Sequence, residues 1–156
     1  MLLLGDDGLA TALAVVIGAA LVRRRGDGHV AACAQADIAT GLDGAAKHQQ
    51  VTLGNGSNDI LEIAAHAFVQ KGEAVVYSQY SFAVYALATQ GVGGRAIVVP
   101  SVDYGHDLDA MAAAIDADMR LVYVANPNNP TGTFIPAEQV EAFLQKVPGN
   151  VIVVLD

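Results

Sequence analysis

The sequence predicts an α/β fold, with a mostly parallel sheet flanked by helices. Three observations predict it. Short segments apolar along their whole length recur: AVVYS at 74–78, AIVV at 96–99, LVYVA at 121–125 and VIVVL at 151–155. Segments with helical spacing of apolar residues lie between them. Glycine or proline stands at several of the junctions, at Gly72, Gly91, Pro100 and Pro136. A strand that is apolar on both sides must be covered on both sides, and helices alternating with such strands supply the cover and the parallel connections.

Each element has a local reason. From Asp59 to Val69, Ile60, Ile63, Ala64, Ala67 and Phe68 recur at spacings of three and four, one apolar helix face, which Lys71-Gly72 ends. The β-branched run Ala74 to Ser78 is a buried strand. Ser81 to Gln90 is a second helix, closed by Gly91, and Ala96 to Val99 is a second strand, closed by Pro100. Asp107 caps a helix from Leu108 to Ile115. Leu121 to Ala125 is the third strand, Pro136 opens a helix reaching about Lys146, and Val151 to Leu155 is the fourth strand. Residues 51–156 thus form the regular part. Residues 1–50 are set apart as an atypical segment, either an arm or a stretch foreign to the fold; Gly26 to Gln50 shows no strand-like run.

Composition narrows the function. Of the 156 residues, 53% are hydrophobic and 15% charged, a balance that fills a core. The net charge of −8 and the absence of a basic stripe argue against a nucleic-acid partner. The single cysteine, Cys33, makes no internal disulfide and no cysteine-based metal site, and fits a reducing, cytoplasmic setting. His29, His48, His66 and His106 are scattered without metal-ligand spacing, so no metal is expected. The apolar run Leu9 to Val22 is shorter than the roughly 20 residues a membrane-crossing helix needs. Acidic residues precede it and Arg23-Arg24-Arg25 follow, the reverse of a secretory signal, so it reads as an Ala-rich helix outside any membrane.

Three segments carry candidate chemistry, each beside the carboxyl end of a strand or the start of a helix, where open α/β sheets bind ligands. Gly54-Asn55-Gly56-Ser57-Asn58-Asp59 runs directly into a helix. Free N–H groups, the positive end of the helix dipole and glycines that admit close approach suit a phosphate, while Ser57, Asn58 or Asp59 equally suits a plain helix cap. Asn126-Pro127-Asn128-Asn129-Pro130-Thr131-Gly132 is a proline-stiffened loop. It reads either as an ordinary turn or as a rigid mount for one polar side chain. Asp156 follows the apolar run VIVVL. A carboxylate there faces a cation or several donors, or simply ends the strand. Tyr80, Phe82 and Tyr85 follow the AVVYS strand and read first as core aromatics.

Taken together and in this order, the segments VTLGNGSNDILE, AVVYSQYSFAVY, GHDLDAMAAAI, VANPNNPTG and VIVVLD resemble the histidinol-phosphate aminotransferase family, within the fold-type-I, class-II pyridoxal-phosphate-dependent aminotransferases. The resemblance covers Val51 to Asp156. It implies an N-terminal fragment holding an incomplete cofactor-binding large domain. It also implies pyridoxal 5'-phosphate as cofactor. Gly56, Ser57 and Asn58 then lie at its phosphate, Phe82 stacks on its ring, Asn129 reaches its phenolic oxygen and Asp156 pairs with the pyridine nitrogen. The implied reaction converts L-histidinol phosphate and 2-oxoglutarate to imidazole acetol phosphate and L-glutamate, in histidine biosynthesis, by a homodimer when full length. Many relatives have tyrosine where Phe82 stands.

The family's Schiff-base lysine lies downstream of the aspartate, and Lys47, Lys71 and Lys146 do not match it, so residues 1–156 alone are expected to be inactive. The alternatives are another class-I/II amino-acid aminotransferase, a related pyridoxal-phosphate decarboxylase, or an inactive fragment that at most binds cofactor.

Overall fold

A computed structural model describes residues 54–156 of the chain, together with the backbone of two short strands at 21–23 and 31–32. The described elements, in chain order, begin with β1 (Leu21–Arg23), β2 (Ala31–Ala32), α1 (Ser57–Phe68) and β3 (Ala74–Ser78). They continue with α2 (Ala83–Gly91), β4 (Arg95–Val99), α3 (Leu108–Ala113), β5 (Met119–Val124), α4 (Ala137–Lys146) and β6 (Ile152–Leu155). They build one sheet of order β2-β1-β6-β5-β3-β4. The pairs β3–β4, β3–β5 and β5–β6 are parallel, and β1 pairs antiparallel with both β6 and β2.

The apolar runs have the cause expected of them, a core on each face. Side chains alternate along a strand, so successive residues enter opposite layers. Val75 and Tyr77 of β3, Leu121 and Tyr123 of β5, and Ile152 and Val154 of β6 pack with Ile60, Leu61, Ala64 and Ala65 of α1 and Val84, Tyr85 and Ala88 of α2. Ala74, Val76, Val122, Val124 and Val153 point the other way, onto Met111 of α3 and Val140 and Phe143 of α4. The edge position of β4 is the exception. Arg95 and Ala96 are exposed and Val98 is half exposed, because no described strand lies beyond it.

Capping follows local chemistry. The Asp107 side chain accepts from the Ala110 N–H at 2.9 Å, opening α3 as the sequence suggests. Pro136 is the residue just before α4 rather than its first turn. Across the bottom of the sheet, Arg120 pairs with Glu73 at 2.8 Å, tying β5 to the entrance of β3.

Two expectations for the front of the chain are corrected. Leu21 and Val22, the end of the apolar run read as a helix, lie in β1. The rest of that run is outside the described residues. Ala31–Ala32, in the stretch said to lack a strand, forms β2. The reason is tertiary. The free edge of β6 offers a row of backbone donors and acceptors that β1 completes, and β2 pairs in turn with β1, whatever their side-chain pattern. Among the described residues, no helix is long and apolar enough to cross a membrane.

Candidate functional site

The carboxyl ends of β3, β5 and β6 and the start of α1 bring the three singled-out segments to one rim. Its centre is Asp156, the residue after β6. Its backbone N–H donates to the Val124 carbonyl at 2.9 Å and its carbonyl accepts from the Asn126 N–H at 2.9 Å, so the β5–β6 ladder extends into the asparagine loop. The Tyr85 hydroxyl of α2 donates to Asp156 Oδ2 at 3.1 Å. Burial pushes the Asp156 carboxyl above its ordinary range, and side-chain hydrogen bonds from Tyr85 and Ser57 pull partly against it. Ser57, at the start of α1, therefore meets Asp156.

The glycines at the helix entrance have distinct jobs. A Cβ on Gly54 would lie 2.7 Å from Asp59 Cβ, so only glycine fits against the first turn. Gly56 sits at φ 81, in the left-handed region, and a Cβ there would meet nothing within 4 Å. No side chain caps α1. Asp59, one of the candidate caps, instead accepts from the backbone and side-chain N–H groups of Asn55 at 2.8 and 2.9 Å. It stiffens the approach to the helix and leaves the cap position to Gly56.

Phe82 immediately precedes α2, half buried, with its ring edge-on to Tyr85 at 6.1 Å between centroids. In the asparagine loop the two central asparagines part company. Asn129 is exposed. Asn128 is buried, and its Nδ2 lies 2.7 Å from both the Tyr80 carbonyl and Thr131 Oγ1, and 3.4 Å from the Tyr104 carbonyl. Asn126 makes a reciprocal pair with Ile135, its Nδ2 donating to the carbonyl and its Oδ1 accepting from the N–H. The loop is thus held at its root and at its turn while Asn129 faces outward. Tyr85 and Ser57 thus meet Asp156, and Phe82 packs edge-on against Tyr85; Asn129 stands exposed on the loop whose Asn126 N–H reaches the Asp156 carbonyl.

Sequence reasoning passed over Tyr85 as a core aromatic. It is core, fully buried, but its hydroxyl also ends on the candidate carboxylate. The signal available was Phe82-x-x-Tyr85, a spacing that puts both rings on one side of a helix start. His106 contributes differently: its Nε2 meets the Ala125 carbonyl at 2.9 Å, and burial lowers its pKa. No cluster of three or more His, Cys, Asp or Glu suited to a metal occurs among the described residues.

The buried carboxyl makes a pH prediction. Unfolded, Asp156 titrates near 3.8; folded, it keeps its proton to higher pH. The folded state binds more protons between those two values. The contribution to stability is therefore full below the unfolded value and lost as pH rises through the folded one. Asp156→Asn cannot ionise. In urea titrations across this range its stability is expected to gain on the wild type as pH rises, and a gap independent of pH would contradict the assignment.

Fold and rim together define a class: a parallel α/β sheet covered by helices, with a candidate ligand site at its carboxyl edge where a glycine-led helix start, an asparagine loop and a desolvated carboxylate lie. The family model for aminotransferase class I and II matches residues 22–156, and the chain belongs to that family. Among curated relatives, histidinol-phosphate aminotransferase 1 of Cupriavidus pinatubonensis is 72% identical over 106 residues, covering 68% of this chain and 28% of the relative. Histidinol-phosphate aminotransferase 2 of Ralstonia nicotianae is 71% identical over 106 residues, with the same coverages. Among solved structures, histidinol-phosphate aminotransferase from Sinorhizobium meliloti in complex with pyridoxal-5'-phosphate superposes with a TM-score of 0.58 at 36% identity, covering 60% of this chain and 26% of that one. The chain thus spans about 28% of the length of these curated relatives.

Proposed function

We propose that the full-length protein is a pyridoxal-5'-phosphate-dependent histidinol-phosphate aminotransferase, converting L-histidinol phosphate and 2-oxoglutarate to imidazole acetol phosphate and L-glutamate. The observation that carries this reading is the 72% identity over 106 residues to a relative of that name. The chemistry of the rim fits the coenzyme. Asp156 is a desolvated, acceptor-only carboxylate when ionised, with a proton affinity raised by burial, which is what a cationic ring nitrogen offsets. The start of α1, with no side-chain cap, presents helix N-terminal N–H groups of the kind that suit a phosphate.

In this reading Gly56, Ser57 and Asn58 hold the phosphate end. Phe82 lays its ring on the face of the coenzyme, without the hydroxyl a tyrosine would add. Asn129, outward-facing on its pinned loop, donates to the phenolic oxygen. Asp156 keeps the ring nitrogen protonated by pairing with it. When bound, pyridoxal phosphate supplies an electron-withdrawing ring that stabilises the charge left as the substrate loses its α-proton. The proposed setting is a cytoplasmic homodimer.

The test is a comparison of amino donors on the full-length protein supplied with pyridoxal phosphate. Glutamate formation from 2-oxoglutarate is expected with a higher kcat/KM for L-histidinol phosphate than for aromatic amino acids. A preference for the aromatic donors would replace the substrate assignment, and no transamination with any donor would end the reading.

A further inference from the structure

We propose that Tyr85 is a positioning residue of this site, its hydroxyl holding the Asp156 carboxylate in one orientation and in its ionised form. The proposal rests on the coenzyme reading for its purpose, but the coupling itself is a property of this chain alone.

Four observations carry it. The Tyr85 hydroxyl donates to Asp156 Oδ2 at 3.1 Å, across 71 positions of sequence. The ring that carries this hydroxyl is fully buried and lies parallel on Tyr123, with centroids 4.5 Å apart and planes 2° apart. Phe82 closes a third side edge-on. Tyr123 is fixed in its turn, its hydroxyl donating to the Leu61 carbonyl of α1 at 2.6 Å. A phenol clamped in this way has no freedom to swing, so its oxygen marks one place for the carboxylate. Burial also raises the Tyr85 pKa, with the neighbouring Asp156 charge adding to it, so the group remains a neutral donor across the working range of an enzyme.

A neutral donor has a specific effect here. It stabilises the ionised carboxylate without cancelling its charge, leaving that charge for a cation. A lysine or arginine in the same place would neutralise it. The arrangement also links two parts of the rim: α1, which begins at Ser57, is tied through Tyr123 to the ring whose hydroxyl orients Asp156. The distance from helix start to carboxylate is thereby set by two stacked rings, a rigid spacer.

The test is a titration of aspartate side chains in the full-length protein, selectively labelled with 13C at Cγ, with Asp156→Asn assigning the signal. Tyr85→Phe keeps the stacked ring and removes the donor. It is expected to raise the proton affinity of Asp156 about tenfold, the scale of one hydrogen bond to a charged group. Tyr123→Phe keeps the Tyr85 hydroxyl and is expected to leave that affinity within about twofold of wild type, well under one such bond. An unchanged midpoint in Tyr85→Phe, or an equal shift in both variants, overturns the proposal. Should Tyr85→Phe fail to fold, the unmodified chain still decides: the Tyr85 13Cζ signal must step at the Asp156 midpoint, and its indifference there refutes the coupling. In the full-length enzyme Tyr85→Phe is expected to lower kcat with little change in KM for the amino donor. The titration needs neither coenzyme nor turnover. Failure of the aminotransferase reading is therefore distinguishable from failure of this one.

Discussion

Asp156→Ala in the full-length protein is expected to reduce kcat by on the order of 10²–10³ or more, the scale found on removing one preorganised electrostatic partner from an active site, while coenzyme is retained. The residues proposed for the phosphate end and the ring face, Gly56 to Asn58 and Phe82, are untouched by this change. What is lost is the charge proposed to keep the ring nitrogen protonated. Asp156→Asn separates charge from shape. It preserves a group able to accept from Tyr85 at the position where Asp156 Oδ2 now does so, yet is expected to lose activity on a similar scale. The same substitution is expected to stabilise the coenzyme-free chain at neutral pH, because the burial penalty on the ionised form disappears. Opposite movements of stability and turnover in one variant would mark Asp156 as a residue kept for chemistry at the expense of the fold. Steady-state kinetics and urea unfolding on the same protein read both quantities, and unimpaired turnover in Asp156→Ala would remove the residue from the mechanism.

The largest loss of stability is expected at Tyr123. Tyr123→Ala should lower the unfolding free energy by about 3–5 kcal/mol, the range for deleting a large buried aromatic side chain. The ring is fully buried in β5, stacked on Tyr85, and its hydroxyl reaches α1, so truncation empties the layer between the sheet and two helices. Tyr123→Phe keeps the ring and should lose about 1 kcal/mol, the net worth of one hydrogen bond. Urea unfolding with an unchanged m-value checks both. An alanine variant within about 1 kcal/mol of wild type, far below the deletion range, would show that this layer repacks rather than holds.

Much of the architecture could be read in advance because its cause is local. β3 needs cover on both faces and therefore shows five apolar or small residues in a row, and its observed limits coincide with those expected. Asp107 announces α3 because capping is a short-range hydrogen bond. Other features depend on contacts far apart in sequence. Ala31–Ala32 has no pattern of its own and becomes a strand only beside β1. Tyr85 looks like any core aromatic until β6 delivers Asp156 to its hydroxyl. Asn128 and Asn129 are chemically identical neighbours, and which one turns inward is decided by the carbonyls of Tyr80 and Tyr104, from two other loops. The three candidate segments were legible as chemistry, but their meeting at one rim follows from the β6-β5-β3 order, which no single segment encodes.

That inward amide has a consequence of its own. Through its Nδ2, Asn128 donates to the Tyr80 carbonyl on the chain leaving β3 and to Thr131 Oγ1, and the Thr131 hydroxyl in turn donates to the Tyr104 carbonyl after β4 at 2.9 Å. Three crossings of the chain are thereby laced together at one point, so a movement of any of them is expected to drag on the other two.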